Sequence, residues 1–123
     1  MPKKILIVED EEIMYNLLKR RLEREGYEVS VAKNGEEGLE FMKRETPDLI
    51  LLDIIMPKLG GLEVMEKMNE DKSLKSIPVI VISNSGQPVE IDRAQRLGAK
   101  DWLVKANFDL KEIIDKVRNQ IGG

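Results

Sequence analysis

Five short apolar runs alternate with segments of helical periodicity along this chain, and this alternation constrains the fold more than any other feature. Three runs are nearly unbroken stretches of Leu, Ile and Val, which is typical of strands buried on both faces of a parallel sheet. Repeated strand–helix units with short connections require right-handed crossovers and helices on both sides of the sheet. The pattern therefore predicts a doubly wound α/β fold in one domain over residues 1–123, with strands at Ile5–Val8, Val29–Ala32, Leu49–Leu52, Val79–Ile82 and Trp102–Val104.

The segments between the strands carry signals for helix starts and buried helix faces. Asn34 followed by Glu37, and Asp109 followed by Glu112, match the spacing of N-terminal capping pairs. The segment 88–97 is the least apolar of the predicted helices. Apolar stripes at helical spacing predict the inner faces of the first and last helices, formed by Ile13, Leu17, Leu18 and Leu22 and by Leu110, Ile113, Ile114, Val117 and Ile121.

The composition limits the chemistry that this chain can perform. It contains no cysteine and no histidine, which excludes disulfides, thiolate metal sites and imidazole bases. Its net charge is −3 and no basic tract is present, so we expect no direct contact with nucleic acid or an anionic membrane. No apolar run is long enough for a signal peptide or a membrane span, which predicts a cytoplasmic protein. The available ligand atoms are oxygens, which favour a hard cation.

Polar residues interrupt the chain where the predicted strands end. Glu9 and Asp10 follow the first strand, Asp53 the third, Ser83 the fourth and Lys105 the fifth. Each has an ordinary explanation alone, as a helix-terminus acid, a turn residue or a surface lysine. In a parallel sheet, however, all strands end at one edge, where ligands bind. The sequence therefore predicts that three carboxylates, a hydroxyl and an ammonium converge there.

This combination of groups indicates phosphoryl chemistry. Crowded carboxylates resist ionisation unless a cation neutralises them, and oxygen ligands with open positions suit Mg²⁺. One carboxylate can then attack phosphorus and form an aspartyl phosphate. The transferred group needs positive partners and a donor, which Mg²⁺, Lys105 and Ser83 would supply.

With those residues placed, the chain resembles the receiver domain of two-component response regulators. The resemblance runs from Ile5 to about Val117 and implies a flavodoxin-like sheet with strand order 2-1-3-4-5. The motifs that carry it are Ile5-Leu6-Ile7-Val8-Glu9-Asp10, Asp48-Leu49-Ile50-Leu51-Leu52-Asp53-Ile54-Ile55-Met56-Pro57, Val79-Ile80-Val81-Ile82-Ser83 and Gly98-Ala99-Lys100-Asp101-Trp102-Leu103-Val104-Lys105.

The resemblance implies a role for each residue of the acidic group. Asp53 corresponds to the phospho-acceptor, Asp10 to a direct Mg²⁺ ligand and Glu9 to an acidic partner that acts through water. The backbone carbonyl of Ile55 corresponds to a further metal ligand. Beyond its own phosphorylation and dephosphorylation, such a domain is a signalling switch and not an enzyme.

The resemblance also implies how the signal leaves the site. Ser83 corresponds to the switch hydroxyl, Lys105 to the lysine that pairs with the phosphoryl oxygens and Trp102 to the aromatic rotamer switch. In the family, phosphorylation changes the face formed by the fourth helix, fifth strand and fifth helix, where a downstream protein binds. Because this chain has no histidine, its donor must be a separate histidine kinase or histidine phosphotransfer protein. We expect a monomer.

Three departures from the family pattern concern the site. Asn84 follows the switch hydroxyl where Ala or Gly is usual, and Ile55 and Ser85 occupy positions that tune dephosphorylation. The usual Lys-Pro is Lys105-Ala106, followed by an extra residue, Asn107. A cis bond is common at that family proline and costly without it, so we predict a trans Lys105–Ala106 peptide and a reshaped loop.

Three alternatives are open to test. A haloacid-dehalogenase-type phosphohydrolase would need a second Asp two residues after the nucleophile, where this chain has Ile55. A flavin-binding module would need a phosphate loop after the first strand, where the acidic residues 9–12 would repel a phosphate. A degenerate receiver that binds partners without phosphorylation is the closest competitor, because Asn84 and the loop 105–107 depart from the family pattern.

Overall fold

The structure, a computed structural model that describes residues 2–84, 88–107 and 109–122, alternates five strands with five α-helices. Each observed strand contains one residue more than predicted, so the predicted strands are confirmed. In chain order the elements are β1 (Lys4–Val8), α1 (Glu12–Arg24), β2 (Glu28–Ala32), α2 (Gly35–Glu45), β3 (Leu49–Asp53), α3 (Gly61–Asn69), β4 (Val79–Ser83), α4 (Pro88–Arg96), β5 (Asp101–Val104), a short 3₁₀ helix (Lys105–Asn107) and α5 (Leu110–Ile121).

The strands form one parallel sheet in the order β2-β1-β3-β4-β5, as the resemblance implies. Their register aligns Val8 with Ala32 on one side and with Leu52 on the other, and this row continues through Val81 to Trp102. We call the edge at which the strands begin the amino edge and the edge at which they end the carboxyl edge. Neighbouring connections leave β1 and β3 toward opposite faces, which opens a crevice at the carboxyl edge between them.

Strand residues alternate between two apolar clusters, one on each face of the sheet. Leu6, Val8, Ile50 and Leu52 pack with residues of α2, α3 and α4, whereas their neighbours Ile5, Ile7, Leu49 and Leu51 pack with residues of α1 and α5. Both sets are fully or almost fully buried. This two-sided burial explains why the strands are continuous apolar runs in the sequence.

The predicted inner face of α1 is wrong at two positions. Ile13 is 86% exposed and Leu17 is 43% exposed, whereas Leu18 and Leu22 are fully buried. Met14 packs partly buried against the same cluster. The inner face of α1 therefore runs through positions 14, 18 and 22, and the two exposed residues precede it by one position, about 100° around the helix.

The other helix predictions fare better. In α5, the residues Ile113, Ile114 and Val117 are buried as predicted. The Asn34 side chain accepts a hydrogen bond from the Glu37 backbone N–H at 2.9 Å, and the Asp109 side chain caps α5 in the same way. Within the described ranges, none of the helices combines the length and the apolar character that crossing a membrane requires.

Candidate functional site

All five residues predicted to converge lie at the carboxyl edge. Glu9 and Asp10 directly follow β1, Asp53 is the last residue of β3 and Ser83 is the last residue of β4. Lys105 directly follows β5 and opens the 3₁₀ helix. These positions follow from the parallel sheet, because each strand ends with its apolar run or one residue after it.

Three of these residues form an acidic cluster. Glu9, Asp10 and Asp53 each offer a carboxylate oxygen, and these oxygens all lie within 4.8 Å of one another. Glu9 is 1% and Asp53 2% exposed, whereas Asp10 lies on the exposed side of the cluster. The cluster is therefore a pocket with two buried acids and one acid at its mouth.

The ammonium of Lys105 provides the positive charge of the pocket. Its Nζ lies 2.7 Å from Glu9 Oε1, 2.8 Å from Glu11 Oε1 and 3.2 Å from Asp53 Oδ2. The Lys105 side chain is only 7% exposed, so it is a buried lysine surrounded by acids and not a solvated one. The Lys105–Ala106 peptide is trans, which confirms that prediction.

Glu11 is a member of this charge cluster that the sequence analysis did not identify. In the sequence it is one of four consecutive acidic positions, and nothing in the spacing distinguishes it from Glu12. Its contact to Lys105 joins residues 94 positions apart. This pairing can be recognised only from the three-dimensional structure, in which the ends of β1 and β5 lie close together.

Burial shifts the pKa values of the pocket acids upward. Burial raises the pKa of Glu9 from 4.5 to about 7, although the hydrogen bond from Lys105 opposes the shift. Burial likewise raises the pKa of Asp53, opposed by the charge of Lys105. Burial by itself lowers the pKa of Lys105, but its hydrogen bonds to Glu11 and Glu9 and the charge of Asp53 outweigh it, so the net shift is upward. At both acids the effect of burial on the pKa thus exceeds the opposing effect of the ammonium.

The donor set of this pocket fits a magnesium ion. Its ligand atoms are carboxylate oxygens, two of the acids are buried, and one ammonium faces the carboxylates of Glu9, Glu11 and Asp53, which leaves an excess of negative charge. Mg²⁺ usually keeps several bound waters, and the exposed side of this pocket leaves room for them. Ile55 lies in the loop after β3, where its N–H is 3.4 Å from Asp53 Oδ1 and its side chain points largely to solvent. The role of its carbonyl in metal binding stays a prediction.

The loop between β3 and α3 packs tightly against Asp53. The Gly61 N–H donates to the Ile54 carbonyl at 2.8 Å, which closes the loop. A Cβ atom at Gly61 would lie 2.3 Å from the Asp53 carbonyl oxygen, which no side chain can occupy. Gly61 therefore lets α3 begin directly beside Asp53, a constraint that the Gly-Gly pair in the sequence did not reveal.

The two predicted switch residues lie on neighbouring strands. Ser83 is 3% exposed and pairs in register with Val104. Trp102 is half-buried and packs against the cluster formed with α2, α3 and α4. Asn84 is exposed at a bend after β4, and Ser85 lies outside the described residues.

Comparison of the sequence with known proteins identifies the family of this chain. The family model described as "Response regulator receiver domain" matches residues 5–118. The chain is 33% identical to the polar-differentiation response regulator DivK of Brucella anthropi over 122 residues, which is 99% of this chain and 98% of DivK. It is 38% identical to the alkaline phosphatase synthesis transcriptional regulatory protein PhoP of Bacillus subtilis over 118 residues, 96% of this chain but 48% of PhoP. It thus spans about half the length of several curated relatives.

The fold comparison agrees with the sequence comparison. The chemotaxis protein CheY4 of Vibrio cholerae superposes with a TM-score of 0.91 at 25% identity, covering 98% of this chain and 100% of that protein.

Proposed function

This chain belongs to the family of response regulator receiver domains, and on that basis we propose that it accepts a phosphoryl group on the carboxylate of Asp53. Receiver domains take part in two-component phosphorelay signalling and bind Mg²⁺ at an acidic pocket. The observation that carries the proposal is the environment of Asp53, a buried carboxylate in contact with Lys105 and clustered with Glu9 and Asp10. A carboxylate in such an environment is a nucleophile beside groups that can stabilise a transferring phosphoryl group.

In the proposed reaction, a side-chain oxygen of Asp53 forms a bond to phosphorus while the bond from phosphorus to the donor nitrogen breaks. The imidazole of the donor histidine leaves with the electron pair of that bond. Lys105 donates a hydrogen bond to a phosphoryl oxygen, and the Ser83 hydroxyl donates another. Glu9, Asp10, Asp53 and the carbonyl of Ile55 would hold Mg²⁺, which when bound would neutralise charge on the acids and on the phosphoryl oxygens.

In this proposal the domain receives its phosphoryl group from a phosphohistidine and passes the signal on through a protein contact. The chain has no histidine, so the phosphohistidine belongs to a histidine kinase or histidine phosphotransfer protein. We place the protein in the cytoplasm as a monomeric domain that contacts a downstream protein. The contact face is formed by α4, β5 and α5, where Trp102 lies partly buried against the apolar cluster that includes Ala94 of α4. A new charged group at Asp53 can bias the position of such an element.

The test is phosphorylation by acetyl phosphate, followed by intact mass with and without Mg²⁺. We expect wild type to gain one phosphoryl group only when Mg²⁺ is present, and Asp53→Asn to gain none. Asp48→Asn is the matched control, because it makes the same change at the exposed residue just before β3, at the amino edge. It should behave like wild type.

A Mg²⁺ titration provides a second readout. Trp102 is the only tryptophan, so its fluorescence reports on binding without interference from another tryptophan. If wild type gains no phosphoryl group from acetyl phosphate or from a phosphohistidine donor, the proposal is wrong. A receiver that binds partners without phosphorylation then becomes the better description.

A further inference from the structure

Glu11 contacts the lysine of the pocket although no role in the proposed reaction requires it. Lys105 carries three N–H donors, and three carboxylates lie within 3.2 Å of its nitrogen, those of Glu9, Glu11 and Asp53. The contacts to Glu11 and Asp53 are hydrogen bonds, whereas the contact to Glu9 is a close ion pair. Because these three contacts surround the nitrogen, Lys105 can donate a hydrogen bond to a phosphoryl oxygen only if one of them opens.

The burial of the three acids decides which contact opens. Glu9 is 1% and Asp53 2% exposed, so loss of the lysine would take a charge partner from a side chain that water does not reach. Glu11 is 55% exposed and can exchange the ammonium for water at little cost. Glu11 is therefore the acid that gives up Lys105 when a phosphoryl group arrives.

Release of Lys105 leaves the negative charge of Glu11 beside the pocket. The Glu11 carboxylate makes no capping hydrogen bond at the start of α1. Among the described residues, its hydrogen-bond partner is Lys105. Glu11 Oε1 and Asp53 Oδ2 contact the same nitrogen, so an incoming phosphoryl group must approach this carboxylate closely. A fixed charge there repels a donor in proportion to the charge of that donor.

We propose that Glu11 is a specificity-determining residue that selects the phosphoryl donor by charge, disfavouring free dianionic acyl phosphates at Asp53. The inference rests on the proposed function, because it presumes that Asp53 is the acceptor. A protein donor can place a cation near Glu11 and so offset the repulsion. A free acyl phosphate has no cationic group that can do so.

Two small donors of different charge make the inference testable. Acetyl phosphate is a dianion at neutral pH; Asp53 forms a bond to its phosphorus, the bond to the acetyl oxygen breaks, and acetate leaves with the electron pair. Phosphoramidate carries one negative charge fewer; its phosphorus–nitrogen bond breaks, and the protonated nitrogen leaves as ammonia. The chemical step at Asp53 is the same, so a difference between the donors reports on their charge and leaving group.

The experiment measures the phosphorylation rate of wild type and of Glu11→Gln with each donor at saturating Mg²⁺ and low ionic strength. At a separation of roughly 6 Å in water, one unit of charge repulsion corresponds to about a threefold change in rate. We expect Glu11→Gln to accelerate the reaction with acetyl phosphate by about tenfold and that with phosphoramidate by about threefold. The ratio of the two rates should rise about threefold, and 1 M salt should abolish the rise, since the Debye length there is about 3 Å.

Glu12→Gln is the matched control. Glu12 is the next residue, is also exposed, and removal of its charge changes the net charge equally, but it makes no contact with Lys105 in the described structure. We expect it to change the rate ratio much less, and thermal unfolding should show all variants folded. The inference alone is overturned if wild type is phosphorylated at Asp53 but Glu11→Gln leaves the ratio at the Glu12→Gln value. If no variant accepts a phosphoryl group from either donor, the proposed function itself is wrong and the inference falls with it.

Discussion

The two edges of the sheet both carry charged residues, but they place them in opposite environments. At the amino edge, Lys4 lies 4.0 Å from Glu28 and 3.8 Å from Glu45, with all three side chains at least 44% exposed. At the carboxyl edge, Lys105 and its partners Glu9 and Asp53 are at most 7% exposed. Exposed pairs contribute about 0–1 kcal/mol, whereas buried charges lose much of their hydration. The buried charges at the carboxyl edge therefore do not contribute to the free energy of folding in the way that apolar residues would.

The two edges also differ in how much space surrounds their glycines. Gly26 and Gly98, which end helices at the amino edge, have φ angles of 98° and 104°, and a Cβ atom on either would meet nothing within 4 Å. Gly35 and Gly61 begin helices at the carboxyl edge, and a Cβ atom on either would lie 2.3 Å from a backbone oxygen. Glycine supplies backbone conformation at one edge and space at the other. Substitution should consequently be more damaging at the carboxyl edge.

The largest predicted effect is that of Gly61→Ala. Its methyl group would overlap the Asp53 carbonyl oxygen, a backbone atom that cannot move without displacing β3. We expect a loss of about 3 kcal/mol in the free energy of unfolding, measured with urea. Mg²⁺ affinity, measured by Trp102 fluorescence, should fall as well.

Gly26→Ala is the control for this substitution at the amino edge. It introduces only the strain of a positive φ, about 1 kcal/mol, and should leave Mg²⁺ affinity unchanged. A Gly26→Ala loss as large as that of Gly61→Ala would contradict the comparison of the two edges.

An intermediate effect is expected from pH in metal-free buffer. The pKa of Glu9 is raised from 4.5 to about 7. Between these two pH values the folded protein therefore keeps a proton on Glu9 that the unfolded chain has released. The stability that this proton confers is complete below pH 4.5 and is lost as pH rises through 7. We expect the free energy of unfolding to fall by about 2 kcal/mol between pH 5 and 7.5.

Two variants separate Glu9 from other acids in this measurement. Glu9→Gln should flatten most of the slope, leaving the smaller part due to Asp53, whose pKa is raised in the same direction. Glu28→Gln makes the same change at an exposed residue of the amino edge and should keep the wild-type slope. Equal slopes for wild type and Glu9→Gln would refute the assignment.

The smallest predicted effect is that of Lys4→Met. It removes both exposed ion pairs but keeps the hydrogen bond from the Lys4 backbone N–H to the Asp48 side chain. We expect a loss of at most about 0.5 kcal/mol at low salt, which high salt should eliminate. A loss above about 1 kcal/mol would show that exposed pairs at the amino edge matter more than their solvation suggests.

Helix faces show where prediction from the sequence succeeds and where it fails. In α5 the apolar stripe is unambiguous, and Ile113, Ile114 and Val117 are buried as predicted. In α1, apolar residues cover more of the circumference than the sheet can bury. Ile13 and Leu17 then remain exposed, because the rotation of the helix is set by its packing on the sheet and not by its composition.

The sequence by itself determined the strands, the two-sided burial of the three central ones and the edge at which Glu9, Asp10, Asp53, Ser83 and Lys105 lie. It could do so because burial of a parallel strand requires an unbroken apolar run, and the first polar residue after the run marks the end of the strand. Only the tertiary structure decided that Glu11 contacts Lys105, that Gly61 packs on Asp53 and that the pocket acids are buried. These features depend on distances between chain segments far apart in sequence and on the exclusion of water from the space between them, and local sequence patterns encode neither.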